Sequence, residues 1–275
     1  MNRVEKPFLG GIIFLTLAAA VSLAFLPASC GRHDRQSVNI VGSTSIQPFA
    51  ELLAEDYMRK NPGERVEVQG GGSTAGLQAV ANGLAAIGMC SRLLKAEEAG
   101  QFTPTVIARD GLAVVVNPAN PVSGLTLEQI RGLFSGRIRN WKDVGGKDGP
   151  VRPITREEGS GTRESFVNLV MAGERISRAA LNQESNGAVK ELAKGDPAAI
   201  GYMSLGLVGT ELKAVSIDGA QPTAQNVLAG KYKLVRPFLF VTQGTPGQRA
   251  QKFVNFVLSP EGQGILESEG LVRAR

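Results

Sequence analysis

The run Thr155-Arg156-Glu157-Glu158-Gly159-Ser160-Gly161-Thr162-Arg163 constrains the fold more than any other stretch. It follows the apolar segment Val151 to Ile154 and leads into a helical pattern with Phe166, Leu169 and Val170 on one face. A strand, a glycine-rich turn and a helix in that order leave unpaired backbone N–H groups at the helix start. Ser160 and Thr162 add hydroxyl donors, and Arg156 adds a fixed charge with a planar fork of donors. These residue types describe a site for an oxyanion.

The same junction occurs twice more. Val38 to Val41 leads into Gly42-Ser43-Thr44-Ser45 and then Phe49, Leu52 and Leu53. Val66 to Val68 leads into Gly70-Gly71-Gly72-Ser73-Thr74 and then Leu77 and Val80. A single such turn is explained by ordinary helix capping, because Ser and Thr are favoured at helix starts. Three of them, one carrying an arginine, point to one shared small anion.

Chemistry that transforms a ligand is poorly provided for. The only histidine, His33, precedes the folded body, so Ser–His–Asp and Cys–His arrangements lack a base there. His and Cys clusters for a metal are missing, no cofactor is implied, and no G-x-x-x-x-G-K-[ST] loop occurs. Gly159-Ser160-Gly161 also lacks the spacing of a nucleophile elbow. The charge balance of 30 Lys+Arg against 25 Asp+Glu gives a dispersed excess of +5, with aromatics at 5%. That pattern has neither the basic stripe nor the stacking residues of a nucleic-acid binder. It suits an anionic ligand or a membrane-facing surface.

The N-terminus is set aside as a targeting segment. Arg3 and Lys6 precede an almost continuously apolar run from Phe8 to Leu26, then Pro27-Ala28-Ser29-Cys30. Small residues ahead of a lone cysteine resemble a bacterial lipobox, although Pro27 stands where leucine is usual. The resemblance implies a signal peptide over residues 1–29, lipidation at Cys30 and a tether over 30–36. Cleaved secretion and a retained anchor are the alternatives. With Cys30 lipidated, Cys90 has no intrachain partner and reads as a small buried hydrophobe.

Beyond the tether, strands at Val38–Val41, Val66–Val68 and Ile87–Cys90 alternate with helical patterns, which predicts a parallel sheet with βαβ crossovers. Gly111–Val116 and Phe238–Val241 read as buried strands, and Ile200–Ser204 as a strand ending in a loop. Thr126 with Gln129 forms a capping-box pattern. Helices are expected from Asn186, around Phe253 and from Pro260, and Trp141 is expected as a packing anchor. In open α/β sheets ligands sit at the carboxyl ends of strands, where all three turns fall.

These pieces in this order resemble the substrate-binding proteins of bacterial phosphate ABC importers, the PstS-like type. The matching motifs are Val41 to Ser45, Gly71 to Gly76, Ile87 to Arg92, Ala108 to Gly111, Phe134 to Gly136, Asn140-Trp141, Arg156 to Thr162 and Ile200 to Tyr202. The resemblance implies an α/β fold: a two-lobed periplasmic-binding-protein-like clamp (type II), with mixed sheets flanked by helices and a hinge of two crossing strands. It implies lobe one over residues 37–115 plus 236–275 and lobe two over 116–235. Phosphate contacts would fall on Thr44, Ser45, Ser73, Thr74, Ser91, Arg156, Ser160, Gly161 and Thr162. Glu158 matches a carboxylate that braces the arginine; an acid favoured near a helix N-terminus is the plainer reading. Many members carry an aspartate where this chain has Ser91, so rejection of sulfate must come from elsewhere or be weaker. Arg92 behind it either adds charge to the pocket or is a solvated surface residue.

The implied function is phosphate capture outside the inner membrane and delivery to importer permease subunits by a monomer, without turnover. Another oxyanion such as sulfate or molybdate, or a non-transport sensing module, is the alternative; a phosphate-ester hydrolase is disfavoured.

Overall fold

The computed structural model describes residues 1–2 and 37–274. Apart from Met1 and Asn2, the expected signal peptide, the tether and Cys30 lie outside the described residues.

The first part of the chain alternates as the apolar pattern predicts: β1 (Ser37–Gly42), α1 (Gln47–Lys60), β2 (Arg65–Gly70), α2 (Ser73–Ala81) and β3 (Ile87–Cys90). β1 lies parallel to both β2 and β3, with Ile40 opposite Val68 and Ile87. After the short α3 (Ala96–Ala99) comes β4 (Thr103–Val116), a strand of 14 residues. Its second half was expected from the unbroken apolar run; its first half was not, because Thr103, Thr105, Arg109 and Asp110 interrupt the pattern.

The second α/β region holds β5 (Gly124–Leu125), α4 (Leu127–Ser135), β6 (Arg152–Arg156), α5 (Gly161–Phe166) and β7 (Leu181–Gln183). It continues with α6 (Asn186–Gly195), β8 (Ala199–Ser204), β9 (Lys213–Ala214), β10 (Ser216–Ile217) and α7 (Ala224–Leu228). The chain then returns along β11 (Val235–Thr242) and ends with α8 (Gln248–Leu258), α9 (Pro260–Ser268) and β12 (Val272–Arg273). Thr126 caps α4 through the expected reciprocal box with Gln129. Trp141 is buried and its indole N–H donates to Ala198 O at 3.0 Å, as a packing anchor should.

The strands run in the order β2-β1-β3-β11-β4-β8-β6-β7. β4 joins the two regions: residues 103–111 pair antiparallel with β11, and residues 112–116 pair antiparallel with β8. Its side chains alternate between two cores, with Leu112, Val114 and Val116 in one and Ala113 and Val115 in the other. Ile40, Phe49, Leu53, Phe238 and Phe253 belong to a separate core on the β1–β3 side. The fold is therefore a two-lobed clamp with mixed sheet and flanking helices, its lobes connected by the paired strands β4 and β11.

Candidate functional site

The expected residues all follow carboxyl ends of strands, and most converge between the two sheet regions. Thr44 and Ser45 follow β1, Ser73 opens α2 after β2, and Ser91 follows β3. Facing them, β6 delivers Arg156 and the turn after it delivers Ser160, Gly161 and Thr162. Ser45 Oγ and Thr162 Oγ1 lie 2.7 Å apart across the cleft. Arg156 Nη2 donates to Thr44 Oγ1 at 3.2 Å.

Two glycines allow this approach. A Cβ on Gly161 would sit 2.2 Å from Ser73 Oγ and 2.8 Å from Ser91 Oγ. Gly42 holds φ at +144°, and a Cβ there would meet Met89 O at 2.3 Å. Neither position admits a side chain.

Arg156 is 1% exposed and heavily braced. Its Nε donates to Glu157 Oε2 at 2.9 Å and to Gln183 O at 3.1 Å, and Nη2 donates to Glu157 Oε1 at 3.0 Å and Glu184 O at 3.2 Å. Nη1 is buried and has no hydrogen-bond partner among the described residues. A charged donor in that position costs stability unless something accepts from it.

Several expectations need correcting. Glu158 does not brace Arg156: its side chain is 95% exposed and lies 3.9 Å from Arg163. The adjacent Glu157 takes that role, because the chain turns at Gly159 with φ +89° and leaves Glu158 facing solvent. Arg92 is no solvated surface residue; it is buried, with Nη1 2.6 Å from Glu98 and Nε 2.8 Å from Glu164. Its charge is matched there by two carboxylates, and donation from Arg92 holds the Glu98 carboxyl below its ordinary value. Backbone N–H groups of the turns are also less free than expected. Those of Ser43, Ser45 and Ser160 bond to Met89 O, Ser43 Oγ and Glu157 O, while that of Thr74 crosses the cleft to Gly159 O at 3.1 Å. Ser160 Oγ accepts from Arg163 N as a helix cap.

Three buried residues were not anticipated as part of the site. Arg236 on β11 donates from Nη1 to Thr162 Oγ1 at 2.8 Å and from Nη2 to Ser45 Oγ at 3.1 Å. Asp110 on β4 accepts from Arg236 Nε at 3.0 Å and from Ser204 Oγ at 2.8 Å. Asn186, opening α6, donates to Ser45 Oγ at 2.8 Å and Thr44 Oγ1 at 3.3 Å. Burial pushes the Asp110 carboxyl upward against the pull of Arg236, and pushes the Arg236 guanidinium downward. The available signal was weak: Arg236 is the lone charge of its strand, but Asp110 stands beside Arg109 in a polar stretch, so nothing local pairs the two.

On the β1–β3 side, Ser43 Oγ donates to Ser91 Oγ at 2.8 Å, and Ser91 N donates to Ser73 Oγ at 3.1 Å. The cleft thus carries two sets of hydroxyl side chains, Ser43, Ser73 and Ser91 on one side and Thr44, Ser45 and Thr162 beside Arg156, whose Nη1 has no partner among the described residues. Two α/β lobes that meet through hydroxyls and a guanidinium form the cleft of a clamp-type solute-binding protein. A family model described as the PBP superfamily domain matches residues 28–261.

The chain is 32% identical to the phosphate-binding protein PstS of Bacillus subtilis (strain 168), covering 95% of this chain and 93% of that one. Among solved structures, a phosphate ABC transporter substrate-binding protein from Clostridium perfringens with bound phosphate is 40% identical with a TM-score of 0.84. That match covers 87% of this chain and 100% of the other. An ABC-type phosphate transport receptor from Vibrio cholerae is 38% identical with a TM-score of 0.71, covering 86% and 99%. The chain belongs to the PBP superfamily and, within it, to the PstS-like phosphate-binding proteins.

Proposed function

We propose that this chain captures inorganic phosphate between its two lobes outside the inner membrane and hands it to the permease subunits of an ABC importer. The observation that carries the reading is Arg156 Nη1, a buried charged donor without a partner among the described residues, set among hydroxyls supplied by both lobes. Relatives of similar length named as phosphate-binding proteins support the choice of anion.

On this reading the phosphate contacts are Thr44, Ser73, Thr74, Ser91, Arg156, Ser160, Gly161 and Thr162, with Ser45 holding Thr162 in place and Glu157 bracing the arginine. The lobes are residues 37–115 plus 236–275 and 116–235, a division supported by β4 pairing with β11 along one part and with β8 along the other. Closure brings the β6 turn against Ser73 and Ser91, and reopening releases the ion. The chain acts as a monomer held to the membrane by lipid at Cys30, and it binds without turnover.

Isothermal titration with phosphate, sulfate, arsenate and molybdate tests the ligand. Phosphate is expected to bind most tightly of the non-arsenic anions; tight sulfate or molybdate binding without phosphate binding contradicts the assignment.

A further inference from the structure

A Ser or Thr hydroxyl has one proton to give and two lone pairs to accept with. In this cleft the lone pairs of one group of hydroxyls are already taken by nitrogen donors. Ser45 Oγ accepts from Arg236 Nη2 at 3.1 Å and from Asn186 Nδ2 at 2.8 Å. Its contact with Thr162 Oγ1 at 2.7 Å must therefore use the Ser45 proton. Thr162 Oγ1 then accepts from Ser45 and, at 2.8 Å, from Arg236 Nη1. Thr44 Oγ1 accepts from Arg156 Nη2 at 3.2 Å and Asn186 Nδ2 at 3.3 Å. The protons of Thr44 and Thr162 have no acceptor among the described residues. Both hydroxyls are forced donors, beside the unpartnered Nη1 of Arg156.

The serine side differs. Among the described residues, Ser91 Oγ accepts from Ser43 Oγ and otherwise meets only Ser73 Oγ, at 3.4 Å. It keeps a lone pair and a rotatable proton, so it can either give or take a hydrogen bond.

We infer that Arg236, with Asn186, is a specificity-determining positioning residue: together they saturate Ser45 and lock the Thr44 and Thr162 hydroxyls into donating only, so the site takes a tetrahedral oxyanion carrying at most one proton, placed against Ser91. Arg236 acts through those hydroxyls and not on the anion, since every nitrogen of its guanidinium is engaged by Asp110, Thr162, Ser91 O or Ser45. The charged or titratable groups facing it are Asp110, Arg156 with its partner Glu157, and the Cys90 thiol. The group whose titration matters is the ligand. The inference rests on the phosphate reading above.

The test is phosphate affinity on either side of the second ionisation of phosphate, at about pH 5 and about pH 8.5, for the unaltered full chain, Arg236→Lys and Asn186→Ala. Arg236→Lys keeps the charge but loses the fork; Asn186→Ala changes no charge yet frees lone pairs on Thr44 and Ser45. The unaltered protein should bind about tenfold or more weakly at the acid pH, where the second ligand proton meets a donor-only face. In each variant that ratio should shrink to about threefold or less, with the affinity loss concentrated at the alkaline pH. Melting curves establish folding, and Asn186→Ala decides the matter alone if Arg236→Lys does not fold. An unchanged ratio in the folded variants overturns the inference, as does an Arg236→Lys protein that behaves like the unaltered one. Failure of the unaltered protein to bind phosphate at either pH is a different outcome and overturns the phosphate reading itself.

Discussion

The turn after β6 and the floor made by β4 and β11 each bury an arginine, and the two are bonded in opposite ways. Arg156 is braced at Nε and Nη2 and leaves Nη1 without a partner among the described residues. Arg236 has all its nitrogens occupied, with Asp110 as counter-ion and the Phe238 ring 5.3 Å from its guanidinium carbon. The first is built to hold something the protein does not supply. The second is built to hold the protein's own hydroxyls in place. Burial alone does not separate a ligand contact from a structural charge; the state of each donor does.

The comparison is broken most severely at the floor. Asp110→Asn leaves the Arg236 charge buried without its counter-ion, and such losses destabilise folds by about 3–5 kcal/mol. Urea unfolding should show that loss without any ligand present; a variant as stable as the unaltered protein would show the floor pair to be dispensable. At the turn the loss falls on binding. Arg156→Ala should weaken phosphate binding by about 2–5 kcal/mol in a calorimetric titration, while the unfolding midpoint moves little. Normal binding by that variant means that the turn after β6 is not half of the site.

Gly161→Ala sharpens the contrast with a smaller effect. Its methyl group falls within 2.2 Å of Ser73 Oγ, so full closure costs about 1–3 kcal/mol of overpacking. Weaker binding and a larger radius by small-angle scattering in the presence of phosphate are expected. A variant that closes and binds like the unaltered protein would place the lobe contact elsewhere.

Local chemistry was legible in the chain and long-range partnership was not. The Thr126–Gln129 box and the strand before each Gly/Ser/Thr turn are short-range patterns, and each stands where its residues predict. Arg236 sits in Val235-Arg236-Pro237-Phe238, and its counter-ion lies 126 positions earlier in a strand whose polar half masks its length. No periodicity connects the two. Glu157 and Glu158 illustrate the same limit over one residue. The choice between them depends on how the chain turns at Gly159, which side-chain type does not reveal.

A crystal structure of the protein grown with phosphate tests the central claim most directly. The account predicts one phosphate whose oxygens lie within about 2.5–3.2 Å of Arg156 Nη1 and of the Thr44 and Thr162 hydroxyls, with Ser91 against the protonated oxygen. Arg236 should remain on Asp110 and the hydroxyls, without touching the ion. A phosphate bound away from these groups, or one bonded directly by Arg236 in place of Arg156, would contradict it.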